Sequence, residues 1–498
     1  MSSLYEQYRQ TLQKHADLEH SIAILHWDKE VNAPAKGSQM RARQLATLHG
    51  MAHEIITDEK FGKLLGRLEE DKEQLDHRQY RNVQISQKQF DREKKLSTDF
   101  VMRRSHIISQ AYDAWLRARE ANDYNLYKNE LRQIVEIKRE EANLLQYDGH
   151  LYNALLDEYE PEATVAELDK LFADVREQLV EFAAQISAAP QQDRSFLNRP
   201  YARQKQWDFG IKLLQNMGYD FEAGRQDLSP HPFTTSFGSQ DVRVTTSIDD
   251  NDFGSMTWSC IHEGGHALYE QGLPAEEYGL PSGKFVSLGI HESQSRLWEN
   301  NVGRSRVYWK AHYAHLQGLF PENLQDISLD KFYKGINQVS PNFIRTEADE
   351  IHYHLHVLIR YEIEKAMIEG SVSLDALDEL WNAKYKEYLG VDVPDDRRGI
   401  LQDIHWSHGS IGYFPTYSLG SFYAAQFFRQ ASQEIEGLES SIESANSQPL
   451  LDWLSDKVFQ HGQTYSAADL CQRITGEKLN FRYFMEYIKE KYSGIYQL

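Results

Sequence analysis

Two cysteines in 498 residues, Cys260 and Cys471, are too few for a disulfide framework, and a reducing cytoplasm is the expected setting. Long apolar runs are missing too. No stretch approaches the ~18–20 residues of a membrane span, and the start MSSLYEQYRQ lacks a basic region followed by an apolar run, so neither membrane insertion nor export is expected. Basic charge is in deficit: 54 Lys and Arg face 75 Asp and Glu, a formal net charge of −21. That balance disfavours nucleic acid and anionic membrane as partners, because both require basic surface. Glycine and proline are sparse between residues 39 and 147, which leaves helical patterns there uninterrupted.

What is present is 41% hydrophobic and 12% aromatic residues, enough for a substantial core and contrary to disorder. Leu4, Tyr8, Leu12, Leu18, Ile22 and Leu25 keep helical spacing. Thr164 and Glu167 form a capping box ahead of Val165, Leu168, Phe172, Val175, Leu179, Phe182 and Ile186, which alternate by three and four. Another helix is expected over 201–217. Within 231–250 the character changes: Val242, Val244, Thr246 and Ile248 alternate with polar residues and read as a strand, with TTSFGSQ as a turn before it. The loop-rich stretch 390–420 and the serine-rich 437–449 separate further helices. No internal repeat is visible.

The strand leads into TWSCIHEGGHALYEQG, residues 257–272, which contains His262-Glu263-Gly264-Gly265-His266. Two histidines four apart on a helix stand one turn above each other, so both rings can reach one metal ion, and Glu263 projects beside it as a base for water. Gly264 and Gly265 each cost about 1 kcal/mol relative to alanine inside a helix. Their presence implies a strand or a substrate lying close against the backbone.

A catalytic zinc site takes three protein ligands and leaves the fourth position open. Glu292 is the leading third ligand, 26 residues after His266 with room for a loop and a second helix; His291 competes with it, and spacing alone does not decide. The pair His352 and His356 has the same separation but no adjacent glutamate, and reads as core histidines.

Several separated motifs resemble those of the carboxypeptidase Taq family of zinc carboxypeptidases. His231-Pro232-Phe233 resembles its HPF, Asp241-Val242-Arg243-Val244-Thr245 its D-x-R-x-T, and His291-Glu292-Ser293-Gln294-Ser295 its HESQS. Ile344-Arg345-Thr346-Glu347-Ala348-Asp349 resembles I-R-x-x-A-D, and the run 399–406 resembles G-x-x-Q-D-x-H-W. LLDEYEP at 155–161 and GYFPTY at 412–417 extend the resemblance over most of the chain. It implies a mainly α fold, a large helical body with a deep central groove and a small β-sheet beside the H-E-x-x-H helix, and a homodimer. It further implies one Zn2+ per chain on His262, His266 and Glu292, with Co2+ able to substitute, and Glu263 as catalytic base. Residues 1–498 then form a single helical unit, with an N-terminal helical part in 1–220, the zinc site and groove in 221–430 and C-terminal helices in 431–498. Ser247 departs from the resemblance, standing where a basic residue is expected.

Peptides with a free C-terminus are the expected partners. Arg345 is the first choice to hold the terminal carboxylate through paired charge-assisted bonds, with Arg243, Arg397 and Arg398 as alternatives. The strand carrying Asp241 and Arg243 is suited to pair with an extended peptide. His231, His405, Tyr413 and Tyr417 are candidates to stabilise an oxyanion. A zinc endopeptidase would use the same ligands, and a metal-free helical binding protein is the reading from another class.

Overall fold

The computed structural model describes residues 3–498, which form two compact units, each assembled from segments distant in sequence. The first comprises the segments up to Glu93, Asp193–Ile336 and Tyr423–Leu479; the second comprises Lys94–Gln192, Asn337–Phe422 and Asn480–Leu498. Helix dominates, and the fold is mainly α, with one small sheet of three strands among the described residues.

In the first unit the helix Ser3–Val31 follows the apolar spacing of its sequence. Its Tyr5, Tyr8 and Leu12 pack with Phe61, Leu65 and Leu68 of the helix Glu59–Glu70, and with Val83 and Leu280. The sheet has the order β1-β3-β2, with β1 at Gly224–Leu228, β2 at Thr234–Ser236 and β3 at Val242–Thr246. β3 is central, parallel to β1 and antiparallel to β2, with Thr234 opposite Val244 and Ser236 opposite Val242. Its Val242 and Val244 are buried, as the alternation of β-branched residues requires. The expected turn over TTSFGSQ is half strand: Thr234–Ser236 pairs with β3, and the chain reverses only over 237–241. β1 has no β-branched residue to announce it and exists because β3 offers a free edge.

β3 and β2 lie against the helix Phe253–Gln271, which begins at Asp252, whose carboxylate caps Gly254 N–H at 2.8 Å. The same helix is flanked by helices Arg203–Met217 and Leu288–Arg296. Both glycines are explained by these helices, not by a strand or a substrate. A Cβ on Gly265 would lie 2.6 Å from the Gln294 carbonyl oxygen and 2.7 Å from Ser295 Cα; one on Gly264 would meet Leu214 and Met217 side chains at 2.7 and 2.9 Å.

The second unit is centred on helix His352–Glu369, buried on nearly every side and packed by helices Lys128–Leu145, Val165–Ala188 and Leu377–Leu389. Thr164 caps Val165–Ala188 by accepting Glu167 N–H at 3.3 Å, while its hydroxyl donates to the Glu167 carboxylate at 2.9 Å. His352 bonds Asp349 at 2.7 Å and His356 bonds Tyr385 at 2.9 Å, so these histidines serve the interior.

Candidate metal and catalytic centre

His262 and His266 stand one turn apart on Phe253–Gln271, with ring centroids 5.0 Å apart and planes at 85°. Glu292 comes from Leu288–Arg296, whose close crossing at Gly265 brings its Oε2 to 3.4 Å from His266 Nε2 and 3.8 Å from His262 Nε2. Donor atoms of the three residues all lie within 4.8 Å of one another, and among the described residues this is the group placed to hold a metal. Tetrahedral coordination at roughly 2.0–2.1 Å separates ligand atoms by roughly 3.4 Å, so the donor set fits such an ion.

The hydrogen bonds of the other ring nitrogens fix which atoms would face an ion held there. His266 Nδ1–H donates to the His291 carbonyl oxygen at 3.1 Å, and His262 Nδ1–H donates to Glu299 Oε2 at 2.9 Å. Both Nε2 lone pairs are thereby left for a cation. Glu299 is reached through a π-helical stretch, Leu297–Gly303, that continues the Glu292 helix, and it also accepts from Arg296 and Arg304 at 3.3 and 3.2 Å. Arg296 donates to Glu292 Oε1 at 2.6 Å, leaving Oε2 toward the histidines.

Electrostatics follow from this packing. Burial pushes His266 down to about 3, with His291 adding to the effect, so its ring is neutral. Burial works on His262 in the same direction, but Glu292 and Glu299 outweigh it and raise its pKa. Burial alone would raise Glu292; Arg296 and His262 override it and hold the carboxylate well below its usual range. Glu263 is raised by burial, against His262 and a hydrogen bond from Thr234. Thr234 Oγ1 lies 2.7 Å from Glu263 Oε2, so the edge strand β2 orients this carboxyl.

His291 turns its Nε2 to Glu270 at 2.9 Å and stacks its ring on His266 at 4.4 Å, outside the converging set. Asp241 and Arg243 neutralise each other through two bonds of 2.8 Å, and the guanidinium lies 4.4 Å over Trp27. His231 is exposed, its carbonyl accepting from Ser229 at 2.7 Å. In the second unit Arg345 is buried: its Nε and Nη2 both reach Asp403 Oδ1, at 3.0 and 2.9 Å, and its face lies 4.7 Å over Tyr417. Asp403 Oδ2 accepts from Arg360 at 2.7 Å. His405 bonds Tyr417 at 3.0 Å, and Tyr413 lies 5.2 Å from Tyr417, ring to ring.

Glu299, Arg296, Arg304 and Thr234 escaped the sequence reading. The first two carried a signal, since 292, 296 and 299 share one helical face. Thr234 carried none, its reach to Glu263 being set by sheet packing.

A model of the family described as carboxypeptidase Taq (M32) metallopeptidase matches residues 7–492. Carboxypeptidase 1 of Bacillus subtilis (strain 168) is 38% identical over 479 residues, covering 96% of each chain. The M32 carboxypeptidase crystal structure from Deinococcus radiodurans R1 is 36% identical, with a TM-score of 0.96 and both chains covered over 100%. A solved structure described as The Structure of CHT is 53% identical, with a TM-score of 0.97, covering 98% of this chain and 99% of that one.

Proposed function

The chain belongs to the carboxypeptidase Taq (M32) family of metallopeptidases, and from that premise we propose that it is a zinc carboxypeptidase releasing single C-terminal residues, with Glu263 as proton carrier. The observation carrying this reading is the convergence of His262, His266 and Glu292 donor atoms beside a Glu263 held by Thr234. A divalent cation on these three residues supplies Lewis acidity toward water and the scissile carbonyl. Glu263, whose proton affinity is raised by burial, accepts a proton from the attacking water and delivers it to the leaving amine. No residue forms a covalent bond to the substrate.

Arg345 and Arg360 share one carboxylate, Asp403, so that buried cluster retains an excess positive charge. This supports Arg345 as the holder of the terminal carboxylate, with Tyr417, Tyr413 and His405 next to it as donors toward the oxyanion. His231, Asp241 and Arg243 enter the same reading as residues of the peptide-binding strand region, Arg243 bracing β3 on Trp27. A homodimer in the cytoplasm, free of nucleic acid, completes the proposal. No helix among the described residues is long and apolar enough to cross a membrane.

Glu263→Gln is expected to keep its metal and lose at least about 10³-fold in kcat, whereas His266→Ala loses both. Near-normal turnover by Glu263→Gln would remove Glu263 as base. A peptide and its C-terminally amidated twin separate exopeptidase from endopeptidase: equal cleavage of both at internal bonds would exclude release from the C-terminus.

A further inference from the structure

The glycine- and proline-rich stretch 390–414 of the second unit carries His405 and Tyr413, yet its own helical structure is limited to the 3-10 helix His405–His408. A loop holds side chains in a fixed direction only through bonds that reach it from outside. Bonds within the loop close it on itself: Ser410 N–H donates to the His405 carbonyl oxygen at 2.9 Å and Gly409 N–H to that of Trp406 at 3.1 Å. They shape the turn without setting where it lies.

That is set by Glu364, on the helix His352–Glu369. Its side chain is fully enclosed; Oε1 accepts from Trp406 Nε1–H at 2.8 Å, and Oε2 accepts from Gly412 N–H at 2.9 Å and from the Tyr152 hydroxyl. Trp406 follows His405 and Gly412 precedes Tyr413, so one carboxyl group pins the chain beside both residues. Tyr152, the third donor, opens the short helix Asn153–Leu156, and the loop presses on that same helix: Gly412 has φ +105°, and an added Cβ would lie 2.6 Å from the Leu155 carbonyl oxygen. The Trp406 indole stands edge-on to Trp381 at 5.9 Å, and the Tyr413 ring lies 5.4 Å from His405 and 5.1 Å from Tyr159.

The partners define what residue 364 must supply. The N–H groups of Trp406 and Gly412 can only donate, so both side-chain oxygens have to accept; only the Tyr152 hydroxyl can also accept in its turn. Methionine would fill the volume and avoid the desolvation of a carboxyl group, but it would leave two buried N–H groups unpaired. Glutamine has a single accepting oxygen, and its amide nitrogen would face Trp406 or Gly412, donor against donor. What a carboxyl group adds over an apolar filler is direction at both ends of the loop.

We propose that Glu364 is a positioning residue, acting through the loop it pins to hold His405 and Tyr413 in the orientation in which they donate toward the oxyanion. The inference rests on the reading of those two residues as donors.

The test is a cycle of variants assayed on one N-blocked tripeptide: wild type, Glu364→Gln, the background Tyr413→Phe with His405→Gln, and all three substitutions together. Glu364→Gln is expected to lower kcat by about 10–100-fold with KM little changed, the loss that a misplaced group causes. In the background it should add nothing, because the groups it positions are gone, whereas a merely structural role would add its full loss there. Trp406→Phe removes one anchor and leaves Glu364 in place; it is expected to repeat both results and carries the test if Glu364→Gln does not fold. Hydrogen exchange followed by mass spectrometry should be faster over 405–413 in Glu364→Gln, with the helix His352–Glu369 as protected as in wild type. An unchanged kcat, unchanged exchange over 405–413, or a full loss retained in a background that is itself impaired would overturn the proposal alone. A background as active as wild type would instead overturn the reading of His405 and Tyr413 as donors, and the proposal with it.

Discussion

Glu299 lies seven residues beyond Glu292 and stands outside the converging group of His262, His266 and Glu292, yet it bonds His262 Nδ1 and so sets the tautomer of that ring. Carboxylates in that position raise ligand basicity and hold the ring, and their loss weakens metal binding by about 10–100-fold. Glu299→Ala is expected to show that loss in competition against a chromogenic chelator, with helix content by circular dichroism unchanged. Thr234 bonds Glu263, the proposed proton carrier, instead. Thr234→Val removes a hydrogen bond to a carboxylate worth about 1.5–3 kcal/mol, so kcat should fall by about 10–100-fold at unchanged metal content. Loss of metal in Thr234→Val would move Thr234 from the proton-transfer role to a structural one. Of this centre, the 262/263/266 spacing is readable because the helical period fixes it; Thr234 is not, because nothing local ties residue 234 to residue 263.

Between elements, the decisive contact is the crossing of Phe253–Gln271 by Leu288–Arg296 at Gly265. The two glycines differ in what surrounds them. Gly265 faces backbone atoms of Gln294 and Ser295, which cannot yield without moving the helix that carries Glu292; Gly264 faces the flexible ends of Leu214 and Met217. Gly265→Ala should therefore cost about 1–3 kcal/mol through overpacking and also weaken metal binding, while Gly264→Ala should cost less and leave the metal in place. Denaturant midpoints with metal titrations on both variants check this; equal effects would mean that the crossing is not the constraint. The sequence announced that two glycines in a helix need a reason. It did not distinguish a helix from a strand or substrate as that reason, because a missing Cβ has the same local signature in each case.

At the scale of the whole molecule, pH and metal both bear on stability. Glu364, fully buried in the second unit, accepts from Trp406 Nε1 at 2.8 Å, Gly412 N–H at 2.9 Å and the Tyr152 hydroxyl. Burial pushes its carboxyl up to about 7, against these hydrogen bonds and the positive charge of Arg360. The folded chain then holds this proton at pH values where the unfolded chain has released it. The contribution is complete below the unfolded pKa of about 4.5 and is lost as pH rises through about 7, a difference on the order of 3 kcal/mol. Urea midpoints from pH 5 to 8 should show this component in wild type and lack it in Glu364→Gln. Metal at a thousandfold over its Kd adds about 4 kcal/mol to the folded state, so chelation should lower the melting temperature of wild type and of Glu263→Gln alike.

The sequence by itself determined the helical character, the strand at β3, the spacing of His262, Glu263 and His266, and, through its motifs, the family. Each of these is written in local periodicity or in a run of consecutive residues, so no knowledge of the folded chain is required. Only the tertiary structure decided that Glu292 Oε2 lies near both Nε2 atoms, that Glu299 bonds His262 and Thr234 bonds Glu263, and that helices explain the glycines. Those facts depend on which distant segments return to the same unit, and that is settled by the packing of whole elements and not by any window of the chain.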